Sequence, residues 1–400
     1  MSGAAATGGP AAGAACLACG GGRVERFLAL REVPVFCNVL WETRAQALAA
    51  PRGDLDLVIC GDCGHVWNLA FDPDRVLYAE GYENSLHHSP RFQAYAEELA
   101  LDLRRRHALD GKHVVEIACG QGDFLRLVCA GRGTEGTGFD PSWRGVEPGP
   151  GLTVRREYFG QSPLSRAPDL VCSRHALEHM DDPAAFVRAM AGAVPPGSAP
   201  VFFCEVPDAL YSLRDGGVWD FIYEHVSYFN ARSLAACFER AGLRVARTWG
   251  TFAGQFLCLE AGLADAAPAA GDGRAAVPPA ADLVALAAGL AAEVERLLDH
   301  WRGEFARVAA AGGRVAIWGA GSKGVTFLNL LGAAAATAVA VDINPAKQGR
   351  FLPVVGLPVV APADLGSLAP ALVVVMNPVY LDEVTAMVRA RGSAAPVVAV

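Results

Sequence analysis

Two stretches of the 400-residue chain have the pattern of a buried strand, a glycine-rich turn and a helix. The first is V-V-E-I-A-C-G-Q-G-D-F-L at residues 114–125, and the second is V-A-I-W-G-A-G-S-K-G-V-T-F-L-N at residues 315–329. Glycine in such a turn lets the backbone approach a ligand closely at the carboxyl edge of a parallel sheet. A chain of this length exceeds what one hydrophobic core usually organises. The two stretches therefore predict two nucleotide-binding α/β units.

Four cysteines near the N-terminus form two C-x-x-C pairs. C-L-A-C holds Cys16 and Cys19, and C-G-D-C holds Cys60 and Cys63. Each pair brings two thiolates to one point, and two pairs supply the four sulfur ligands of a tetrahedral structural Zn²⁺ site. The alternatives are unrelated reduced cysteines or a redox pair, although neither pair lies in a thioredoxin-like unit. We predict a structural zinc module.

The rest of the chain divides by its hydrophobic pattern. Short apolar strands alternate with helical patterns between residues 113 and 261, which predicts a mainly parallel sheet. A Pro-, Ala- and Gly-rich linker and a long amphipathic helix follow. The predicted fold class is α/β, with an N-terminal zinc ribbon, a Rossmann-like core and a second Rossmann-like C-terminal domain. The predicted boundaries are a disordered tail at 1–14, the zinc module at 15–75, the core at 76–262, the linker at 263–282, and the helix plus C-terminal domain at 283–400.

Composition excludes several classes of protein. The net charge of −8 disfavours nucleic-acid binding, because such proteins usually display a basic face. No apolar run approaches the roughly 18 residues of a membrane span, and the N-terminus lacks the basic and apolar regions of a secretory leader. Several of the eleven cysteines lie inside apolar strands, where free thiols behave as small hydrophobes. We expect a cytoplasmic protein without a nucleic-acid or membrane partner.

The first glycine turn has acidic residues at two strand ends. Glu116 ends the strand before Gly120 and Gly122, and Asp140 ends the next strand, where a carboxylate can accept both hydroxyls of a ribose. A third strand then runs into the loop R-H-A-L-E-H-M at residues 174–180. A generic domain that binds NAD is the alternative interpretation of these residues.

The second glycine turn, at residues 319–324, fits G-x-G-x-x-G and is followed by Asp342 at the next strand end. By itself this pattern suggests NAD binding. Lys323 lies inside the turn, however, where its cation and the helix N-terminus are suited to a pyrophosphate. A nucleotide-linked substrate fits the turn equally well.

These features in combination resemble one family. The cysteine pairs, a core carrying Y-E-H at residues 223–225, and a C-terminal unit with G-A-G-S-K-G, D-I-N-P-A-K-Q-G and N-P-V-Y resemble the S-adenosylmethionine-dependent sugar C-methyltransferases. The resemblance runs from Cys16 to the C-terminus. It implies that the core, a class I methyltransferase domain, binds the methyl donor. It also implies that the C-terminal domain helps to hold the nucleotide of a keto-sugar. Ala118 departs from the pattern, which normally has its first glycine there.

The resemblance and the strand ends together indicate residues for each ligand. The expected donor-binding residues are Glu116, Ala118, Gly120, Gly122, Phe139, Asp140, His175 and Ala176. The expected substrate-binding residues are Tyr82, Gly321, Ser322, Lys323 and Asp342. Tyr82 belongs to the polar stretch Y-E-N-S-L-H-H-S, which is typical of a segment that covers an active site or of a plain helix-capping loop.

Methylation of carbon requires a carbanion, so a base must remove a proton next to a ketone. His225 is the base that the resemblance implies, and imidazole titrates near neutrality. Glu224 is expected to orient it or to bind the substrate, and Tyr223 to donate a hydrogen bond to the enolate. His175 is a second candidate, whereas a packing role is the stronger expectation for His179.

Three alternatives to a sugar C-methyltransferase remain open at this point. One is a methyltransferase acting on oxygen or nitrogen of another small molecule. Another is an NAD-dependent oxidoreductase that uses the second glycine turn. The third is a non-catalytic zinc-ribbon scaffold with a degenerate methyltransferase fold. All but the scaffold imply a small-molecule substrate, and the oligomeric state stays open.

Overall fold

The computed structural model describes residues 4–76, 87–164, 166–264 and 275–400. Tyr82, expected at the substrate, lies outside these ranges. The described chain forms three β-sheets with helices packed against them. The helices are α1 (Arg44–Leu48), α2 (Pro90–His107), α3 (Asp123–Val128), α4 (Pro183–Gly192), α5 (Ala209–Arg214), α6 (Ala231–Arg240), α7 (Ala280–Ala310), α8 (Ser322–Leu331), α9 (Leu365–Leu368) and α10 (Leu381–Ala390).

The N-terminal sheet is antiparallel, with the order β1-β2-β3-β4-β10. Its strands are β1 (Ala4–Ala6), β2 (Val24–Pro34), β3 (Arg52–Cys60), β4 (Val66–Asn68) and β10 (Ser227–Tyr228). The prediction of a disordered tail at 1–14 is wrong for residues 4–6, which pair with β2. This pairing uses backbone hydrogen bonds, which do not depend on side-chain character. The last strand comes from the predicted core, so this sheet and the core share a segment.

The central sheet has the order β11-β12-β9-β8-β5-β6-β7, and only the pairs that involve β12 are antiparallel. Its strands are β5 (His113–Ile117), β6 (Glu135–Phe139), β7 (Leu152–Arg155), β8 (Leu170–Arg174), β9 (Val201–Pro207), β11 (Leu243–Thr251) and β12 (Phe256–Leu263). The apolar strands predicted between residues 113 and 261 form, and β7 is an additional strand. The strand order reverses between β5 and β8, and a crevice at such a point is where α/β sheets bind ligands.

The C-terminal sheet is entirely parallel, with the order β15-β14-β13-β16-β17. Its strands are β13 (Val315–Trp318), β14 (Ala338–Val341), β15 (Val359–Val360), β16 (Leu372–Val375) and β17 (Val397–Ala399). The order reverses between β13 and β16, which gives this sheet its own crevice. The second glycine turn begins at the carboxyl end of β13.

The long helix α7 joins the N-terminal sheet to the C-terminal unit. Its buried side chains recur every three or four residues, as an amphipathic helix requires. These residues are Leu283, Ala287, Leu290, Ala291, Val294, Leu298, Trp301, Phe305 and Val308. They pack in one apolar cluster with residues of β2, β3, β13 and α8. Among the described helices, none combines the length and the apolar character that a membrane crossing needs.

Candidate active site

The first glycine turn and His175, the second candidate base, lie at one edge of the central sheet. Strands β5 and β8 are adjacent and parallel, and their register pairs Ile117 with Ser173. The residues that follow the two strands therefore emerge side by side. Ala118 follows β5, and His175 follows Arg174, the last residue of β8.

The glycine turn after β5 has a left-handed backbone at three positions. Gly120 and Gly122 have φ of 55° and 77°, and Ala118 has φ of 58°. L-residues other than glycine adopt this conformation at a cost of roughly 1–2 kcal/mol. The glycine that is usual at this position is therefore a backbone requirement, which Ala118 meets under strain. The Ala118 side chain is exposed at the crevice.

Asp140 closes the glycine turn from the neighbouring strand. Its Oδ2 accepts the Gly120 N–H at 2.8 Å, while Oδ1 accepts the Ser142 N–H at 2.8 Å and the Ser142 hydroxyl at 2.6 Å. Each carboxylate oxygen can accept more than one hydrogen bond, so a ribose contact is compatible with this arrangement. Two other expected donor contacts, Phe139 and Ala176, are buried at the same edge.

Glu116 places a carboxyl group under the turn. The residue is 3 % exposed, and its Oε2 has no hydrogen-bond partner among the described residues. Burial raises the pKa of this carboxyl to about 8, although the charge of Arg174 opposes the shift. A buried acid with one oxygen left without a partner at this position is suited to a cationic ligand group.

Behind the crevice, Glu205 is the acceptor of a buried ionic network. Its Oε1 lies 2.9 Å from Arg174 Nη2 and 2.7 Å from His175 Nε2, and its Oε2 accepts the Tyr95 hydroxyl at 2.7 Å. Burial favours the neutral acid, but Arg174 and His175 outweigh it and hold the pKa of Glu205 well below its usual range. Glu205 is therefore anionic with no exposed surface.

His175 lies between two carboxylates. Its Nε2 is next to Glu205, and its Nδ1 is 3.7 Å from Glu178 Oε1. Burial opposes the charged ring, but the contacts with Glu178 and Glu205 outweigh burial and raise the pKa of His175 to about 9. An imidazolium has no lone pair with which to take a proton. At neutral pH His175 is thus a cation, whereas the sequence left it as a second candidate base.

A cluster of Glu178, His179 and His225 continues from this network. One ligand-type atom of each residue lies within 4.8 Å of those of the other two. The rings of His179 and His225 are 4.8 Å apart and nearly perpendicular, and Nδ1 of His179 is 2.9 Å from the Glu224 carbonyl oxygen. Burial, together with the neighbouring His179, lowers the pKa of His225 to about 3. His225 is therefore a neutral imidazole.

The N-terminal sheet holds the segment that carries His225. The Tyr223 hydroxyl oxygen accepts the Asp72 N–H at 3.0 Å, and Glu224 Oε2 accepts the Cys37 N–H at 2.8 Å. Two residues beyond His225, β10 pairs with β4. Tyr223 and Glu224, expected to contact substrate, thus have their hydroxyl and carboxylate bonded to the backbone of this sheet.

The second glycine turn is closed in the same way as the first. Asp342 Oδ2 accepts the Ala320 N–H at 2.8 Å, and Oδ1 accepts the Asn344 N–H at 2.8 Å. A buried cation accompanies this carboxylate, because Lys347 Nζ lies 3.2 Å from the Ala320 carbonyl oxygen and 4.0 Å from Asp342 Oδ2. Gly319 has φ of 113°, in the region that favours glycine.

Lys323 connects this turn to the core. Its Nζ is 2.7 Å from Asp220 Oδ1 and 5.4 Å from the centre of the Tyr211 ring. Gly321 and Ser322 precede it at the start of α8 and are partly exposed. The second turn therefore faces the segment of the core that leads to the Y-E-H sequence.

The four predicted metal ligands converge. Cys16 Sγ is 3.6 Å from Cys63 Sγ, Cys19 Sγ is 3.6 Å from Cys60 Sγ, and all four sulfurs lie within 4.8 Å of one another. All four are free thiols. A tetrahedral shell with Zn–S bonds of about 2.3 Å would place its sulfurs roughly 3.8 Å apart. The cluster has the dimensions and donor chemistry of a four-thiolate zinc site.

Two family models match the chain. One describes a methyltransferase domain and covers residues 91–248, and the other describes a C-methyltransferase C-terminal domain and covers residues 281–395. The chain is an S-adenosylmethionine-dependent methyltransferase. The first match contains the crevice between β5 and β8, and the second contains the turn with Lys323.

Individual proteins are also similar to this methyltransferase. The C-methyltransferase NovU of Streptomyces niveus is 28% identical over 359 residues, which are 82% of this chain and 81% of the relative. A methyltransferase from Mesorhizobium loti has 19% identity and a TM-score of 0.34, over 42% of this chain and 99% of its own. Magnesium protoporphyrin IX methyltransferase from Synechocystis PCC 6803 has 18% identity and a TM-score of 0.34, over 47% of this chain and 91% of its own.

The residues around the crevice fit the methyl donor. The Glu116 Oε2 atom, which has no partner among the described residues, suits the donor's ammonium group. The backbone at Gly120, where an added Cβ would meet nothing within 4 Å, leaves room for close approach. Sequence analysis assigned no specific role to Glu178, Glu205, Arg174 or Tyr95. The loop R-H-A-L-E-H-M was a signal for Arg174 and Glu178 only, and the contact between Glu205 and Tyr95 joins distant segments.

Proposed function

We propose that this methyltransferase transfers a methyl group to a carbon atom next to the ketone of a nucleotide-linked keto-sugar. S-adenosylmethionine, when bound, supplies the electrophilic methyl group. The substrate class rests on the family resemblance, the match to the C-methyltransferase C-terminal domain, and similarity to a C-methyltransferase. In this proposal the first glycine turn binds the methyl donor, and the second binds the nucleotide part of the substrate.

His225 is the proposed base. The observation that carries the proposal is its position in one cluster with the buried Glu178 and the half-buried His179, at the carboxyl edge of β8, the strand next to the one that leads into the first glycine turn. A neutral imidazole accepts the α-proton from the substrate carbon, and the electron pair of that C–H bond stays on the substrate as an enolate. His175, already charged, instead contributes an electrostatic field.

Lys323 and the backbone at Gly321 and Ser322 are proposed to bind the diphosphate of the substrate. A helix N-terminus and a lysine attract such an anion. Because Lys323 pairs with Asp220, the diphosphate would compete with an internal carboxylate for this cation. Asp342 is then chiefly the residue that shapes the turn, although its position at a strand end also suits a ribose.

A structural Zn²⁺ at Cys16, Cys19, Cys60 and Cys63 is part of the proposal. The second cysteine pair precedes β4, which pairs with β10 immediately after His225. Zinc would thus stabilise the sheet that holds the base in place. We expect one zinc per chain in protein purified without chelator, measured by elemental analysis. Metal-free protein that folds with the same stability would exclude the site.

The base is tested with His225→Asn, which preserves size and polarity but cannot take the proton at neutral pH. The substrate probe is a thymidine-diphosphate-linked 4-keto-hexose with S-adenosylmethionine. We expect kcat to fall roughly 10²- to 10⁴-fold with little change in KM, because the contribution arises in the transition state. His300→Asn, an exposed histidine on α7, is the control and should retain full activity.

A second readout separates carbon from oxygen or nitrogen methylation. In deuterium oxide without donor, the wild type should exchange the α-hydrogen of the keto-sugar, and His225→Asn should not. Methyl transfer that persists at the wild-type rate in His225→Asn would exclude the enolate route. That result would favour methylation of oxygen or nitrogen, which needs no carbon acid.

A further inference from the structure

The Glu178 side chain faces three histidines from a fully enclosed position. It is 2 % exposed, and its Oε1 lies 3.7 Å from Nδ1 of His175. Its Oε2 is buried without a hydrogen-bond partner among the described residues. A buried carboxylate oxygen left without a donor is costly, so such an atom commonly has a role in binding or catalysis.

The charge state of Glu178 follows from its surroundings. Burial favours the neutral acid, but the contact with the positively charged His175 outweighs burial and holds the pKa of Glu178 below its usual value. His175 is in turn fixed as a cation, because Glu205 faces its other nitrogen at 2.7 Å. The network therefore alternates in charge from Glu205 through His175 to Glu178.

We propose that Glu178 is a positioning residue for the reaction, which stabilises the imidazolium that forms when His225 accepts the substrate proton. This inference rests on the proposed function of His225 as the base. Within the cluster, the neutral His225 ring is uncharged before proton transfer and positive after it. A carboxylate within 4.8 Å therefore attracts the ring mainly after the transfer, so the contact strengthens as the reaction proceeds.

His179 completes the geometry. A carbonyl oxygen only accepts hydrogen bonds, so the contact between His179 Nδ1 and the Glu224 carbonyl makes Nδ1 the donor and assigns the lone pair to Nε2. His179 is thus held as one neutral tautomer against the His225 ring. The groups that act electrostatically on His225 are His179, Glu178 and His175, and of these only Glu178 favours the protonated base.

The first test needs no substrate. Histidine rings labelled with ¹³C are titrated by NMR in the wild type, in Glu178→Gln and in Glu178→Asp, with resonances assigned through single histidine variants. His175 should titrate near pH 9 in the wild type. In Glu178→Gln its pKa should fall by roughly one unit or more, because one of two opposing charges is lost. Glu135→Gln, which removes an exposed carboxylate on β6, should leave it unchanged.

The second test is the pH profile of methyl transfer to the keto-sugar probe. The acid limb reports His225, which must be neutral, and the alkaline limb reports His175. Loss of the Glu178 charge lowers the pKa of both rings, so Glu178→Gln should move both limbs to lower pH. It should also lower kcat roughly 10- to 100-fold with KM unchanged. Glu178→Asp, which retains the charge, should recover part of the rate.

His175→Asn provides an independent variant if Glu178→Gln fails to fold. It removes a positive charge that disfavours protonation of His225, so the acid limb should move in the opposite direction, to higher pH, and the alkaline limb should disappear. A general loss of structure produces neither displacement. Unmoved limbs in either folded variant would overturn the role of Glu178.

The outcomes also distinguish this inference from the function on which it rests. If His225→Asn is inactive while Glu178→Gln keeps the wild-type pH profile and rate, only the role of Glu178 is wrong. If His225→Asn is active, the proposed base itself is wrong. A second bound metal found by elemental analysis and lost in Glu178→Gln would also overturn the inference, because the cluster would then be a metal site.

Discussion

The two glycine turns of this chain are built alike but differ in the charge around them. In each, an aspartate at the next strand end accepts an N–H of the turn, from Gly120 to Asp140 and from Ala320 to Asp342. Under the first turn lies the buried carboxyl of Glu116, whose Oε2 accepts no hydrogen bond from the described residues, while the nearby cations Arg174 and His175 are paired with Glu205. Beside the second turn lie two lysines, Lys323 and Lys347. Equal backbone geometry therefore does not define the ligand. The charges predict a cationic methyl donor at the first turn and an anionic group of the substrate at the second.

The largest effect expected within this comparison is at the second turn. Lys323→Ala removes the cation proposed to contact the diphosphate in the ground and transition states alike, so KM for the keto-sugar probe should rise roughly 10- to 100-fold while kcat stays nearly constant. Steady-state kinetics measure both constants. Lys112→Ala, which changes a lysine bonded to the His107 carbonyl, is the matched control. A fall in kcat with constant KM would place Lys323 in the chemical step.

An intermediate effect is expected at Glu116. With a pKa of about 8, this carboxyl is mostly protonated at pH 6.5 and half ionised at pH 8. The ionised form attracts the donor's ammonium group, so the affinity for S-adenosylhomocysteine should rise about tenfold between these two values and then level off.

Calorimetry across this pH range measures that affinity, and Glu116→Gln should abolish its pH dependence. A wild-type affinity that is constant from pH 6.5 to 8 would mean that Glu116 does not face the ammonium group. Binding of thymidine diphosphate to the second turn should not follow this titration.

The smallest effect is expected from Ala118→Gly. Glycine removes the strain at φ of 58° but increases the freedom of the unfolded chain, so the free energy of unfolding should rise by about 0.5–1 kcal/mol. Denaturant titration measures it. Ala241→Gly, at φ of −77°, relieves no such strain and should lower stability. If both changes destabilise the protein equally, the turn after β5 is unstrained in solution.

The sequence predicted most of the first crevice because its signals are local. Glu116, Gly120 and Asp140 follow strands whose apolar pattern is clear, and parallel strands bring such ends together. The strand β7 was missed because L-T-V-R lies in a Gly- and Pro-rich segment without a distinct apolar run. Spacing predicted the cysteine cluster, since each pair of ligands is local.

Contacts between distant segments could not be predicted from the sequence. Nothing in the pattern around Tyr223 indicates that its hydroxyl meets the Asp72 N–H, or that β10 extends the N-terminal sheet. The charge of His175 likewise depends on Glu205, whose strand lies next to β8 only after folding. Sequence reasoning therefore listed His175 among the bases, whereas the two carboxylates beside it outweigh its burial and make it a cation.

The central claim is that the first turn binds the methyl donor and the second binds the nucleotide of the substrate. Calorimetry of two single variants tests this claim most directly. Asp140→Ala should weaken binding of S-adenosylhomocysteine by about 1–3 kcal/mol and leave binding of thymidine diphosphate unchanged, because a ribose loses a charged acceptor only at the first turn. Lys323→Ala should weaken the binding of thymidine diphosphate and leave the binding of S-adenosylhomocysteine unchanged. If Asp140→Ala leaves S-adenosylhomocysteine affinity intact while Lys323→Ala reduces it, the donor lies at the second turn and the account is wrong.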